Sequence, residues 1–298
     1  MKSKKIISLA LALILCLSIA VPAFAAAAPG DKRVAIAADL SVEERLQIYR
    51  DFGVNPGDVP EIIVTNADER TYLSGLVDEA KIGHVALSSV YIEILETGKG
   101  LSVLTNNINY CTPDMYKNAL STAGITDARV MVSAPHPVSG TAALTGVYKA
   151  YEAMSENPLS ELAKSVGAEE LVVTGNLAEY MGSDDATTMV NELKGILDQT
   201  VNMTDDQVKE QIDLIAAKYN IEISEGQRTQ ILQLCRSLEK LDTAQLRDKI
   251  VSLGETMQKA GAAKEKIDEF AQDAGEFAKK VQNLAGKVGG FFKNLFGK

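Results

Sequence analysis

Tryptophan is absent from the 298-residue chain, and aromatic residues make up only 5% of it. Stacking platforms for sugars or bases therefore have little to be built from, and carbohydrate recognition starts as a weak reading. Basic residues are in deficit: 30 Lys and Arg face 40 Asp and Glu, for a formal charge of −10. Nucleic-acid binding rests on clustered Lys and Arg that neutralise phosphate, so nucleic acid is not an expected partner. Histidine occurs only as His84 and His136, and cysteine three times. A zinc site would have to be completed by carboxylates, and the sequence carries no helix-borne histidine pair, nucleophile elbow, phosphate-binding lysine loop or paired-cysteine motif. No metal, cofactor or catalytic residue is assigned on these grounds. After the first 25 residues no apolar run approaches the roughly 20 residues needed to span a bilayer.

What stands at the start is Lys2, Lys4 and Lys5, an apolar run from Ile6 to Val21, and Pro22-Ala23-Phe24-Ala25. A positive segment, a short apolar segment and a small-residue exit read as a secretory signal peptide over 1–25, cleaved after Ala25 or an alanine just beyond. Lipid attachment is disfavoured, because Cys16 follows Leu15 inside the apolar run. The expected product is exported to the cell envelope or medium, and losing the leader lysines makes it more acidic still. Cys111 and Cys235 remain, with two readings open. One is a bridge closing a long loop, worth on the order of 4 to 5 kcal/mol in the chain-entropy model. The other is a pair of buried free thiols, favoured by the helical spacing of Cys235 with Ile231, Leu234 and Leu238.

The fold class expected is α+β: a small mixed sheet with flanking helices, then a helical bundle, then a C-terminal amphipathic helix. Residues 31–156 alternate helix and strand. Ser41-Val42-Glu43-Glu44 is a capping box and Gly53 stops the helix it opens; a strand follows at Glu61 to Thr65, and Asn66-Ala67-Asp68-Glu69 caps a short helix. Val85 to Leu95, a turn at Gly98-Lys99-Gly100 and Leu101 to Ile108 read as a β-hairpin. Thr112-Pro113 opens a helix that Gly124 closes, Arg129 to Ser133 is a strand, and a helix runs from about Ser139 to Met154. A short echo, helix then Phe52-Gly53-Val54 then strand, and helix then Ala123-Gly124-Ile125 then strand, places two similar units around the hairpin.

Strand signals fade after Pro158 except at Leu171-Val172-Val173, and 157–242 reads as a helical domain. Thr204 to Gln207, Ser224 to Gln227 and Asp242 to Gln245 each set a capping residue three before a glutamine. In the tail, 243–298, apolar residues from Ala263 to Leu295 recur at steps of four and three, a stripe able to meet a helix or a membrane surface. Lys287, Phe291, Phe292, Lys293, Leu295 and Phe296 form the expected contact, by apolar insertion of roughly 1.5 to 3 kcal/mol per large side chain and about 1 kcal/mol per lysine near anionic lipid. Packing of the same phenylalanines back onto the bundle is the other reading.

The candidate ligand site is the strand-to-helix junction Ala134-Pro135-His136-Pro137-Val138-Ser139-Gly140-Thr141. Hydroxyls and helix-start amides there suit an anion. The favoured reading of Ser139 is a helix cap, with Gly140 allowing close packing; a nucleophile with His136 as base is disfavoured, since residues three apart in a proline-bracketed loop need not face each other and no orienting acid is identifiable. Asn106 and Asn107, in the polar run Thr105 to Tyr110, are the other candidate ligand contacts, and asparagines leaving a strand also serve turns.

Thr105-Asn106-Asn107-Ile108, Thr112-Pro113-Asp114-Met115-Tyr116, the stretch Pro137 to Gly146 and Glu169 to Gly175 resemble the YpuA-like family of exported Gram-positive bacterial proteins, a domain of unknown function. The resemblance covers roughly Val34 to Leu241 and implies export and one family domain. It brings no activity, ligand or catalytic residue, and it implies an apolar residue where this chain has His136. The functional expectation is a non-enzymatic exported envelope or extracellular protein whose tail meets a membrane surface or a partner helix. The alternative is an envelope enzyme or small-anion or ligand-binding protein using Ser139, Gly140 and Thr141.

Overall fold

The structure is a computed structural model and describes residues 27–76, 82–155 and 157–246. The leader, and the tail from residue 247 onward with its lysine and phenylalanine contacts, lie outside the described residues. Within them the chain is α+β, a five-stranded mixed sheet followed by packed helices.

Strand β1 (Lys32–Ala37) leads into helix α1 (Val42–Asp51) and strand β2 (Glu61–Val64), which returns parallel to β1 with Ala35 opposite Ile62. The helix starts where expected because Ser41 accepts the amide of Glu44 and the Glu44 carboxylate accepts that of Ser41. Helix α2 (Asn66–Leu73) follows at once, capped by Thr65 in a box with Asp68. Strands β3 (Ser89–Ile94) and β4 (Leu101–Ile108), helix α3 (Pro113–Ala123) and strand β5 (Ala128–Val138) complete the sheet. Thr112 caps α3, Pro113 opens it, and Gly124 ends it at φ 106°.

The hairpin expected from β3 and β4 does not form. The strand order is β2-β1-β3-β5-β4: β5 lies between the two, antiparallel to β3 with Tyr91 opposite Met131, and parallel to β4 with Val103 opposite Val130. A glycine-rich turn and two β-prone runs are local signals, whereas register is set by what each strand buries. In β5, Val130 and Val132 are fully enclosed and need neighbours on both sides, while β4 shows partly exposed Ser102, Leu104 and Thr105 and suits an edge.

One sheet face, with Val34, Ile36 and Tyr91, is covered by Ile48, Tyr49 and Phe52 of α1. The other, with Val90, Ile92, Val103 and Val130, is covered by α3 and by α4 (Thr141–Glu152). Helix α5 (Glu161–Met181), capped by Ser160, packs behind α3. Leu171-Val172-Val173, expected as a strand, forms the middle of this helix. Its β-branched residues carry only a weak preference, overridden because Leu171 and Val172 enter the sheet core while Val173 enters a second core. Helices α6 (Ser183–Gly195), α7 (Leu197–Thr200), α8 (Asp205–Lys218) and α9 (Glu225–Leu238) build that second core, α8 and α9 starting at the Thr204–Gln207 and Ser224–Gln227 boxes. Cys111 and Cys235 are buried free thiols, each with its pKa pushed up to about 12 by loss of solvent.

Candidate functional site: a cavity at the start of α4

The junction between β5 and α4 is shaped by a single glycine. Strand β5 runs on to Val138, which pairs with Ile108 beyond a bulge in β4, so the chain must reverse within two residues. Gly140 makes the turn at φ 90° and is the N-cap of α4, with no side-chain cap. Ser139 therefore does not cap the helix as expected: the helix begins at Thr141, which puts Gly140 and not Ser139 at the capping position. Gly140 also sits where a Cβ would lie 2.6 Å from both Ile108 Cγ2 and Tyr116 Oη, and the Tyr116 hydroxyl donates to the Gly140 carbonyl at 2.5 Å.

Released from capping, Ser139 Oγ lies 3.1 Å from Thr141 Oγ1, and Thr141 in turn donates to Glu69 Oε1 at 2.6 Å. Glu69 comes from α2 and is 1% exposed. Desolvation raises its pKa to about 7, against the opposing pull of the Thr141 and Asn66 hydrogen bonds and the charge of Arg70. Asn66 reaches Glu69 Oε2 at 3.4 Å, and Arg70 Nε donates to Asn66 Oδ1 at 2.9 Å. Arg70 Nη2 donates to the Gly83 carbonyl at 2.6 Å, tying α2 to the segment ahead of β3.

These groups border a cavity of about 340 Å³. Its polar wall is Glu69, Ser88, Asn109, Ser139 and Thr141, and its apolar wall is drawn from Ile82, Val85, Leu87 and Val138. That volume is at the small end of the roughly 300 to 1,000 Å³ typical of ligand pockets, and the mix of apolar wall with a few convergent polar groups is typical too. A larger hollow of about 610 Å³ between α3 and α6 is ringed by Asp114, Asp184 and Glu192. Two of those acids already carry partners, Asp114 with Lys117 and Glu192 with Lys218.

Of the residues singled out from the sequence, Ser139, Gly140 and Thr141 line the smaller cavity and Asn106 and Asn107 do not. Asn106 Nδ2 donates to Asp51 and Ser133, and Asn107, at φ 57°, donates to the Ala134 carbonyl, so both hold the bulge at the end of β4. His136 is exposed, outside the lining, and near enough to Glu44 to act on its charge, so it is not brought to Ser139 as a base. Among the described residues no group of three or more His, Cys, Asp or Glu is placed to hold a metal, and no helix is long and apolar enough to cross a membrane.

Sequence reasoning missed Glu69, placing it only in the run Asn66-Ala67-Asp68-Glu69 that caps a short helix. A signal was available. Tyr72 and Leu73 stand three and four positions after Glu69, which sets a carboxylate on the helix face that carries the apolar residues.

The family model described as "Protein of unknown function (DUF1002)" matches residues 36–281. The chain is 35% identical to "Uncharacterized protein YpuA" of Bacillus subtilis (strain 168), over 98% of this chain and 97% of that protein. No solved structure matches it.

Proposed function

The chain belongs to this family of unknown function, and on that premise we propose that it is an exported, non-enzymatic binding protein that takes a small polar ligand into the cavity at the start of α4. The observation that carries the reading is the joining of a buried carboxyl, Glu69, to the Thr141 and Ser139 hydroxyls at the border of a cavity. Groups of this kind fix a ligand's orientation, while the apolar wall supplies contact area. Ser139 has a hydroxyl, not an imidazole, beside it, which suits holding a ligand better than attacking one.

The leader over 1–25 supports export, and the lysine-studded apolar tail supports attachment to a membrane surface or a partner helix. Two experiments test the two halves. Thermal melting across a panel of small metabolites should reveal a stabilising compound whose shift disappears in a Ser139→Ala, Thr141→Ala double variant. A shift that survives those changes removes the cavity reading. Sedimentation with vesicles rich in phosphatidylglycerol should pellet the protein but leave a version ending at Val288 in the supernatant, and equal recovery of both removes the tail's role.

A further inference from the structure

Resting on the cavity reading, we propose that the ligand carries a cationic amine on a short aliphatic stem, and that Glu69 is the group on which the amine docks. Among the described residues lining the cavity, Glu69 is the one with a formal charge; the others are hydroxyl, amide, glycine or apolar. A helix start with hydroxyls around it would ordinarily be assigned to an anion. Here that place is taken from within the protein, because the Glu69 carboxyl already accepts the Thr141 hydroxyl at the first residue of α4. Once Glu69 is ionised, an incoming anion would meet its full negative charge at close range, whereas the helix terminus offers only about half a positive charge.

The carboxyl itself is short of partners. Among the described residues its hydrogen bonds are one from Thr141 at 2.6 Å and a long one from Asn66 at 3.4 Å, for a group with about four acceptor positions. Arg70 acts on it only through space, its guanidinium being engaged with Asn66 and the Gly83 carbonyl. A buried carboxylate without an ion pair is costly, and a bound ammonium relieves that cost with an opposite charge and donors for the acceptor positions still open. The stem follows from the wall: Ile82, Val85, Leu87 and Val138 offer hydrocarbon beside the polar end.

The same arrangement makes binding depend on pH. Among the described residues, the charged or titratable groups that act on Glu69 are Arg70 on its own helix, and Cys111 and Tyr116 from the segment that leads into α3 and from α3 itself; α4 presents the neutral Thr141. Arginine stays protonated, and burial pushes the Cys111 and Tyr116 pKa values far above neutrality. Between pH 6 and 8, Glu69 is the member of this set that changes charge, from mostly protonated to mostly ionised.

Calorimetric titration of the protein with three isosteres, pentylamine, 1-pentanol and pentanoate, tests the assignment. Pentylamine, protonated throughout, should bind about tenfold more tightly at pH 8 than at pH 6, as ionisation through a pKa near 7 requires. It should exceed both isosteres at pH 8, and Glu69→Gln should abolish both its advantage and its pH dependence. Pentanol or pentanoate binding as well as the amine, with Ser139→Ala, Thr141→Ala still weakening it, keeps the cavity and overturns the amine. Amine binding unaffected by Glu69→Gln or independent of pH also overturns it. Binding by none of the three overturns the amine assignment, while the metabolite panel judges the cavity separately.

Discussion

Gly140 satisfies two demands that no other amino acid meets together, a left-handed φ of 90° and an approach to Ile108 and Tyr116 too close for a Cβ. Gly140→Ala should cost about 2 to 4 kcal/mol, combining left-handed backbone strain with overpacking, and urea denaturation monitored by circular dichroism would measure it. Glu69 makes the opposite kind of demand, since its burial is tolerated rather than stabilising. Its folded pKa is raised from 4.5 to about 7, so the native state holds the proton more tightly than the unfolded chain. The stabilising contribution is fully present below pH 4.5 and is lost as pH rises through 7. Glu69→Gln should therefore gain stability on the wild type over that interval, by up to roughly 3 kcal/mol, and parallel denaturation at pH 4.5 and 7.5 would show it. A constant difference between the two proteins at both pH values would contradict the burial argument.

Helix α5 is the element on which the described residues depend most. It approaches α3 closely at Gly167, where a Cβ would lie 2.6 Å from the Ala119 carbonyl oxygen, and it carries Glu170, paired with Lys194 of α6 at 2.6 Å. Both charges are essentially enclosed, at 1% and 0% exposure, and Thr122 of α3 donates to the second Glu170 oxygen at 2.5 Å. Three helices thus meet on one carboxylate. Lys194→Met alone should destabilise by about 3 to 5 kcal/mol by stranding that charge, and Glu170→Leu with Lys194→Met should recover much of the loss. Thermal unfolding of the single and double variants would separate a stranded charge from mere loss of contact. The β3 and β4 pair carries a different lesson about elements. Two runs joined by Gly98-Lys99-Gly100 look like neighbours, yet β5, which comes after both, enters between them.

For the molecule as a whole, two buried clusters share one helix: Ala168, Leu171 and Val172 of α5 belong to the sheet core, and Val166, Val173 and Leu177 to the helical core. The boundary expected near 156–157 falls just ahead of this helix, so neither cluster is complete without α5. Unfolding should be one transition, with tyrosine near-ultraviolet dichroism, weighted toward the sheet half, coinciding with far-ultraviolet helix signal, and Leu171→Ala should lower both midpoints together. Two separated midpoints would show independent folding. The buried thiols report on the same event. With pKa values near 12 and no solvent access, Cys111 and Cys235 should resist a thiol reagent at pH 8 until the transition and then react together.

The boundaries at Ser41, Thr112, Gly124, Thr204 and Ser224 were legible along the chain, because a cap joins groups three or four positions apart and needs no other part of the protein. The Ser139 to Thr141 cluster was legible for a related reason, hydroxyls lying next to one another in the chain where a strand passes into a helix. Strand order, the helical state of Leu171 to Val173 and the role of Glu69 were not, since each depends on distant partners. Glu69 meets Thr141 across 72 positions, and its removal from water, which gives a common glutamate a pKa near 7, exists only once α2 and α4 have packed together. Local chemistry names the elements; burial, which is a property of the assembled chain, decides which neighbours they take and which of their side chains acquire unusual chemistry.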